Sequence, residues 1–177
     1  GEAAGGLVTK GSVNYGEGKQ NKTLVRDYCD QDLDPELDRQ VQEFLGKLNE
    51  FQERLMLRDP VKAKMKKRLS SGLREVLRSI RTQEAKLVIV APNIEASPSE
   101  GGLDDKVQEI IRQARGSNVP LVFALSRNRL AKALGKSMRV SAATVHQVDG
   151  VYEQYQEILK ASTVLRMSFT KRGGPAP

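Results

Sequence analysis

The chain has 177 residues, and its 29 Lys and Arg residues against 22 Asp and Glu residues give a formal net charge of +7. That length suits one domain with an appended segment, and the lack of a long apolar run or a signal-peptide pattern argues against a membrane-spanning helix and secretion. A single cysteine, Cys29, and a single histidine, His146, exclude a disulfide scaffold and a Cys- or His-rich metal site. We therefore expect a soluble protein of the cytoplasm or nucleus, with no cofactor.

The charge is divided unevenly along the chain. Residues 1–59 hold 8 basic and 12 acidic side chains, a net of −4, whereas residues 60–177 hold 21 basic and 10 acidic ones, a net of +11. Such a basic segment attracts polyanions, which favours nucleic acid over a merely soluble basic surface. A membrane is less favoured, because no helix combines a basic face with exposed Trp or Phe.

The first sixty residues are predicted to form an extension. Residues 1–25 are Gly-rich and polar, which is typical of a segment that is disordered in isolation, or partly left over from cloning. Residues 26–60 form an acidic helical segment, with Asp34 as N-cap and the Asp59-Pro60 pair as its end. The helix has one apolar stripe, made of Leu37, Val41, Phe44, Leu45, Leu48, Phe51 and Leu55.

A second helix is predicted from about Val61 to Ile80. Its apolar stripe includes Met65, Leu69 and Leu73, and the Ser70-Ser71-Gly72 run interrupts it. This run is either a bend or a fresh helix start. In the second case Gly72 is the N-cap and Glu75 occupies the capping-box position.

The rest of the chain alternates strands and helices. Apolar runs at 86–91 and 119–125 predict two parallel strands, joined by a helix that begins near Leu103 and ends at Gly116. Ser126 then caps a short helix, residues 140–148 predict a third strand, and residues 151–166 predict a last helix before a loose tail at 167–177. The fold class is therefore α/β, a three-layer α/β/α sandwich over 61–166, with the N-terminal extension appended.

Groups that could carry catalysis are better explained by structure. His146 lies in a predicted strand without a partner, and Asp104-Asp105 suits the first turn of a helix. The Gly101-Gly102 pair lacks the spacing and the Lys-Ser/Thr of a phosphate loop. We expect no enzymatic activity.

The basic helix is more informative. Lys67, Arg74, Arg78 and Arg81 are spaced to line one helical face, and free amides after Gly72 can bind phosphate. Glu75 lies among these cations, where it either caps the helix or accepts from the edge of a guanine. Since Phe51 and Phe123 are predicted to be buried, and Tyr15 and Tyr28 to lie outside the sandwich, stacking platforms are lacking. Folded RNA is the expected ligand.

The segments 72–80, 84–93, 119–123, 126–135 and 140–145 together resemble the kink-turn RNA-binding family typified by the archaeal ribosomal protein L7Ae. The segments 26–29, 51–54, 59–64, 72–77, 101–105 and 123–125 further resemble the SECIS-binding group, including its N-terminal SECIS-interaction region. That resemblance implies binding to the kink-turn-like core, with tandem G·A pairs, of SECIS RNA in selenoprotein mRNA. It also implies support of UGA recoding to selenocysteine, with the ribosome and the selenocysteine-specific elongation factor as partners of a monomer.

The resemblance also assigns RNA-binding residues. The family's helix-start motif matches Gly72, Glu75 and Arg78, with Arg74 in place of Asn. It further assigns Glu95 to an acidic position after the first strand and Arg127 to a basic position after Ser126. The loop that packs against a flipped-out nucleotide in the family corresponds to Met138, Arg139, Val140 and Ser141. Two alternatives remain: a generic kink-turn protein of the ribosome or small nucleolar ribonucleoprotein type, and an RNA-modifying enzyme with a similar recognition domain.

Overall fold

The computed structural model describes residues 25–95 and 100–173, so the predictions for residues 1–24 and 174–177 lie outside it. The helices are α1 Pro35–Arg58, α2 Pro60–Met65, α3 Leu73–Arg81, α4 Leu103–Gly116, α5 Arg127–Ala133 and α6 Tyr152–Lys171. The strands are β1 Leu69–Ser71, β2 Leu87–Val90, β3 Leu121–Phe123 and β4 Ala142–Val145.

One mixed sheet has the strand order β1-β4-β2-β3. The strands β2 and β3 are parallel and are joined through α4, whereas β4 is antiparallel to both of its neighbours. Every residue of β2 and β4 is buried. Because successive strand side chains point to opposite faces, helices must cover the sheet on both sides. The α/β/α fold class is therefore confirmed.

The strand β1 was missed by the sequence prediction, which placed Leu69 within a continuous helix. The spacing from Met65 to Leu69 to Leu73 fits a helical stripe, so periodicity alone does not reveal the strand. In the structure α2 ends at Met65, and Leu69 pairs with Val145 of β4. The prediction of a fresh helix start is confirmed, since Gly72 is the N-cap of α3.

The helix α1 belongs to the same hydrophobic core as the sheet. It begins as predicted, because the Asp34 carboxylate accepts from the Glu36 N–H at 3.1 Å. The apolar stripe is buried at five positions, Leu37, Val41, Phe44, Leu45 and Leu48. These side chains form one cluster with those of β2, β3 and β4, so α1 completes the core of the sandwich.

The segment before α1 runs along the outer edge of β3. Gln31 is buried, and its side-chain amide donates to the Phe123 carbonyl at 2.8 Å and accepts from the Phe123 N–H at 3.0 Å. Tyr28 is also buried, and its ring packs on that of Phe123. The prediction that Tyr28 lies outside the sandwich was therefore wrong, because aromatic residues in a polar segment can still cover a sheet edge.

The last helix is longer than predicted. It continues to Lys171 instead of ending at Arg166, and Phe169 near its end is buried. Within residues 25–95 and 100–173, no helix combines the length and the apolar character needed to cross a membrane.

Replacing Tyr28 by Phe tests how firmly the N-terminal segment is held. The Tyr28 hydroxyl donates to the Ala91 carbonyl at 2.5 Å and accepts from the Ile94 N–H at 3.2 Å. Its loss leaves two buried backbone groups unpaired, so Tyr28→Phe should lower the free energy of unfolding by about 1–3 kcal/mol in urea titrations. Tyr155→Phe is the matched control, because that hydroxyl makes one exposed bond to Lys86. Equal effects of the two substitutions would contradict the assignment.

Candidate nucleic-acid interface

Four chain segments meet at one end of the sheet. The carboxyl ends of β1, β2 and β3 lie beside the start of β4, as the strand registers require. Backbone hydrogen bonds tie the segments together: Gly72 N–H donates to Ala142 at 3.1 Å, and Ala91 N–H donates to Ser141 at 2.9 Å. Val140 N–H also reaches the carbonyl of Arg127 at 3.3 Å. All eleven sequence-predicted site residues except Lys67 lie in the segments joined here.

The start of α3 presents free amides. Gly72 has φ +100°, a conformation that favours glycine, and the first intrahelical bond is the one from Val76 N–H to the Gly72 carbonyl at 2.9 Å. The N–H groups of Leu73, Arg74 and Glu75 have no hydrogen-bond partner within the described residues. Free amides at the positive end of a helix dipole attract anions, phosphate among them.

Glu75 does not cap α3. A capping box would need its carboxylate to accept from the Gly72 N–H, but that N–H is bonded to Ala142. Arg74, Glu75 and Arg78 are all exposed, and the structure shows no ion pair for them among the described residues. Of the two roles that the sequence left open for Glu75, capping is therefore excluded, and its carboxylate is available to a ligand.

The predicted basic face is smaller than the sequence suggested. Lys67 lies between α2 and β1 and not on α3, so it does not extend the row of Arg74 and Arg78. Arg81 lies within 3.6 Å of Glu109 on α4, which diverts it from that row. The displacement of Lys67 follows from the missed strand, because β1 separates Lys67 from the helix.

Glu95 brings two arginines together. Its Oε1 lies 3.3 Å from Arg127 Nη2 and 3.6 Å from Arg139 Nη1. The sequence assigned these three residues to separate segments, and the structure places them in one cluster. It also adds a residue that sequence reasoning missed, the buried Asn93, whose Oδ1 accepts from the Arg127 N–H at 3.2 Å. The one signal for Asn93 was its place at the end of the first predicted strand.

The loop before β4 presents only some of its predicted side chains. Met138 is 79% exposed, and Arg139 is exposed beside it. Val140 is buried in the core, and the Ser141 carbonyl is bonded to Ala91. Met138 and Arg139 can thus reach a ligand, whereas Val140 and the backbone of Ser141 hold the loop in place.

Other polar candidates have structural roles. His146 Nε2 lies 2.8 Å from Ser70 Oγ, and its Nδ1 lies 3.2 Å from the Glu84 carbonyl. Burial lowers the pKa of His146, so the neutral ring donates from Nδ1 and accepts at Nε2. The Asp104 carboxylate accepts hydrogen bonds from Arg26 Nη1 at 3.0 Å and from Arg26 Nη2 at 2.8 Å. Within the described residues, no three His, Cys, Asp or Glu side chains are grouped to hold a metal ion.

Comparisons with known proteins show the family and the fold. Residues 56–153 match the model of the Ribosomal protein L7Ae/L30e/S12e/Gadd45 family. The chain belongs to this family. A solved structure, that of the 15.5kD RNA binding protein of Giardia lamblia, has the same fold as this chain. The TM-score is 0.56 and the identity is 19%, and the match covers 75% of this chain and 92% of that one.

Two curated relatives match over 151 residues, which is 85% of this chain. The selenocysteine insertion sequence-binding protein 2 of Rattus norvegicus is 41% identical, and the selenocysteine insertion sequence-binding protein 2-like of Homo sapiens is 36% identical. The match spans only 18% and 14% of these relatives, respectively.

The lowered pKa of His146 predicts a pH-dependent stability. A histidine with a folded-state pKa below its unfolded value of about 6.5 disfavours protonation in the folded protein. The contribution of neutral His146 to the free energy of unfolding is present above about pH 6.5 and is lost as the pH falls through the folded-state pKa. The free energy of unfolding, measured in urea at pH 7.5 and 5.5, should therefore fall more for the natural chain than for His146→Gln. Parallel losses would contradict this account.

Proposed function

We propose that the protein binds SECIS RNA, recognising a kink-turn-like core with tandem G·A pairs, and supports the recoding of UGA to selenocysteine. The observation that carries the proposal is the exposed carboxylate of Glu75 beside the amides of α3, since neither has a partner among the residues that the structure describes. A carboxylate repels phosphates, so its exposure within a basic surface is useful for accepting from the edge of a base. The amides and the guanidinium groups of Arg74 and Arg78 would hold phosphates on either side.

The names of the relatives support the RNA class. The rat and human relatives are named for binding the selenocysteine insertion sequence, and their match covers α1 as well as the family segment. The Giardia structure is named as an RNA binding protein. These names support an RNA ligand, and we propose that the chain acts by binding alone, without catalysis.

We further propose that the ribosome and the selenocysteine-specific elongation factor are partners of the RNA-bound monomer. Recoding occurs during translation, so the protein would act in the cytoplasm, with the nucleus as a second compartment. The basic second part of the chain, with a net charge of +11 over residues 60–177, favours contact with ribosomal RNA as well.

The second candidate is a generic kink-turn protein of the ribosome or of small nucleolar ribonucleoproteins. Deleting the extension cannot separate the two candidates cleanly, because Gln31, Phe44 and Leu45 belong to the buried core. Competition between RNAs does so without altering the fold. A SECIS hairpin should displace a ribosomal kink-turn RNA from the protein, and equal competition by both RNAs would favour the generic candidate.

The proposal predicts sequence-selective binding. In fluorescence anisotropy, a SECIS hairpin should bind more tightly than the same hairpin with mutated G·A pairs, and Glu75→Ala should remove about 1–3 kcal/mol of that discrimination. Glu75→Ala should change the free energy of unfolding by less than about 0.5 kcal/mol, since Glu75 caps nothing. Equal affinity of the natural chain for both hairpins would overturn the proposed function.

Arg78→Ala is predicted to act differently. A phosphate contact carries no sequence information, so this substitution should weaken binding to both hairpins by the same factor. It should also reduce the slope of log affinity against log salt by about 1. An unchanged salt slope would remove Arg78 from the interface.

A further inference from the structure

A small polar cleft opens where α1 passes the outer strand β1. It has a volume of about 190 Å³, and it is lined by Asn49, Gln52, Lys67, Leu69, Ser70, Ser71, Leu134 and Lys136. None of these lining residues is acidic, and the nearby Glu53 carboxylate accepts from Asn49 Nδ2 at 3.3 Å. Since a water molecule takes about 30 Å³ of liquid, the cleft has room for a partly hydrated phosphate group.

The open edge of β1 supplies a backbone donor to this cleft. Two hydrogen bonds flank β1 on the side of β4. The His146 N–H donates to the Arg68 carbonyl, and the Gly72 N–H donates to the Ala142 carbonyl. In an antiparallel pair the bonded positions alternate, so the N–H and carbonyl groups of both Leu69 and Ser71 face away from β4. The Leu69 N–H is bonded to Gln52 Oε1 at 3.2 Å. The Ser71 N–H, next along the same edge, has no partner among the described residues.

The side chains around the cleft add further donors. Gln52 Oε1 also accepts from the Arg68 N–H at 3.0 Å, and this fixes the amide so that its Nε2 is left as a donor. Lys67 and Lys136 are exposed, and neither forms an ion pair within the described part of the chain. The two charged side chains that line the cleft are thus both positive, which suits an anion.

Tight packing holds the cleft in shape. Gly135 has φ +67°, and a Cβ at this position would lie 2.9 Å from Asn49 Nδ2. Glycine therefore lets the turn after α5 approach α1 closely, and that approach places Lys136 opposite β1. The cleft depends on α1, which lies before most of the family segment at residues 56–153.

We propose that this cleft is a second phosphate site, which takes a backbone phosphate of the RNA next to the segment read at the start of α3. The inference rests on the proposed function. Ser71 directly precedes Gly72, so a strand of RNA bound at the α3 amides passes the mouth of the cleft. The site would extend the RNA contact beyond the kink-turn core and would use α1 to do so.

Lys136→Gln tests the site in the full chain. The affinity of this variant for a complete SECIS hairpin should be about three- to tenfold lower than that of the natural chain. The slope of log affinity against log salt should fall by about 1. Lys47→Gln is the matched control, because Lys47 lies on α1 but lines the groove towards α6. Thermal unfolding of both variants shows whether they fold like the natural chain. Equal affinities of the two variants would overturn the second site.

Trimming the RNA provides a second readout. A hairpin cut back to the kink-turn core should bind the natural chain as weakly as the complete hairpin binds Lys136→Gln, and the variant should lose nothing further. Equal losses from trimming in both proteins would overturn the site while leaving the proposed function intact. That function fails separately, if mutated G·A pairs bind as well as natural ones.

A third measurement tests whether the cleft binds free phosphate instead of RNA. If millimolar inorganic phosphate raises the melting temperature of the natural chain but not of Lys136→Gln, while trimming the RNA has no effect on either, the cleft holds free anions. That result would also overturn the proposal of an RNA phosphate site.

Discussion

The outer edge of β3 is paired with a side chain, and the position of the whole N-terminal segment depends on this pairing. The Gln31 amide bonds to both backbone groups of Phe123, as a neighbouring strand would. Just beyond the strand, the buried Asp38 carboxylate accepts from the N–H of Leu125 at 2.9 Å, at a residue whose φ of 68° is unusual for a side chain of that size. Buried backbone groups without partners are costly. The acidic extension is therefore part of the fold.

Backbone hydrogen bonds also hold the candidate interface together. The segments that carry Glu95, Arg127 and Met138 adjoin the sheet at one end, and backbone bonds join Ala91 to Ser141 and Val140 to Arg127. Groups that are held in place before binding lose less entropy on binding. The two exposed carboxylates differ in a way that follows from their positions. Glu95 lies between two arginines, whereas Glu75 has no ion-pair partner among the described residues. Of these two carboxylates, Glu75 is thus the one whose negative charge is not compensated within residues 25–95 and 100–173.

The sequence predicted the elements whose signals are local. Asp34 and Ser126 cap helices as expected, because a cap needs only a side-chain oxygen at the right place. The strand β1 was missed, because three residues flanked by apolar helical spacing carry no period of their own. The pairing of Gln31 with Phe123 was also beyond reach, since it joins residues 92 positions apart. The site residues were predicted from local motifs and resemblance, but their contacts, above all the Glu95 cluster, depend on the packing of loops.

The helix α1 has a wider consequence. With 24 residues it is about 36 Å long, and it touches both outer strands of the sheet: Asp38 lies near the end of β3, and Gln52 lies on β1. Unprotected strand edges are templates for pairing with other chains. A fragment limited to residues 56–153 would lack Gln31 and Gln52, which bond to the outer edges of β3 and β1, so both edges would be more open to pairing with other chains. The N-terminal part of the chain thus protects both edges of the sheet.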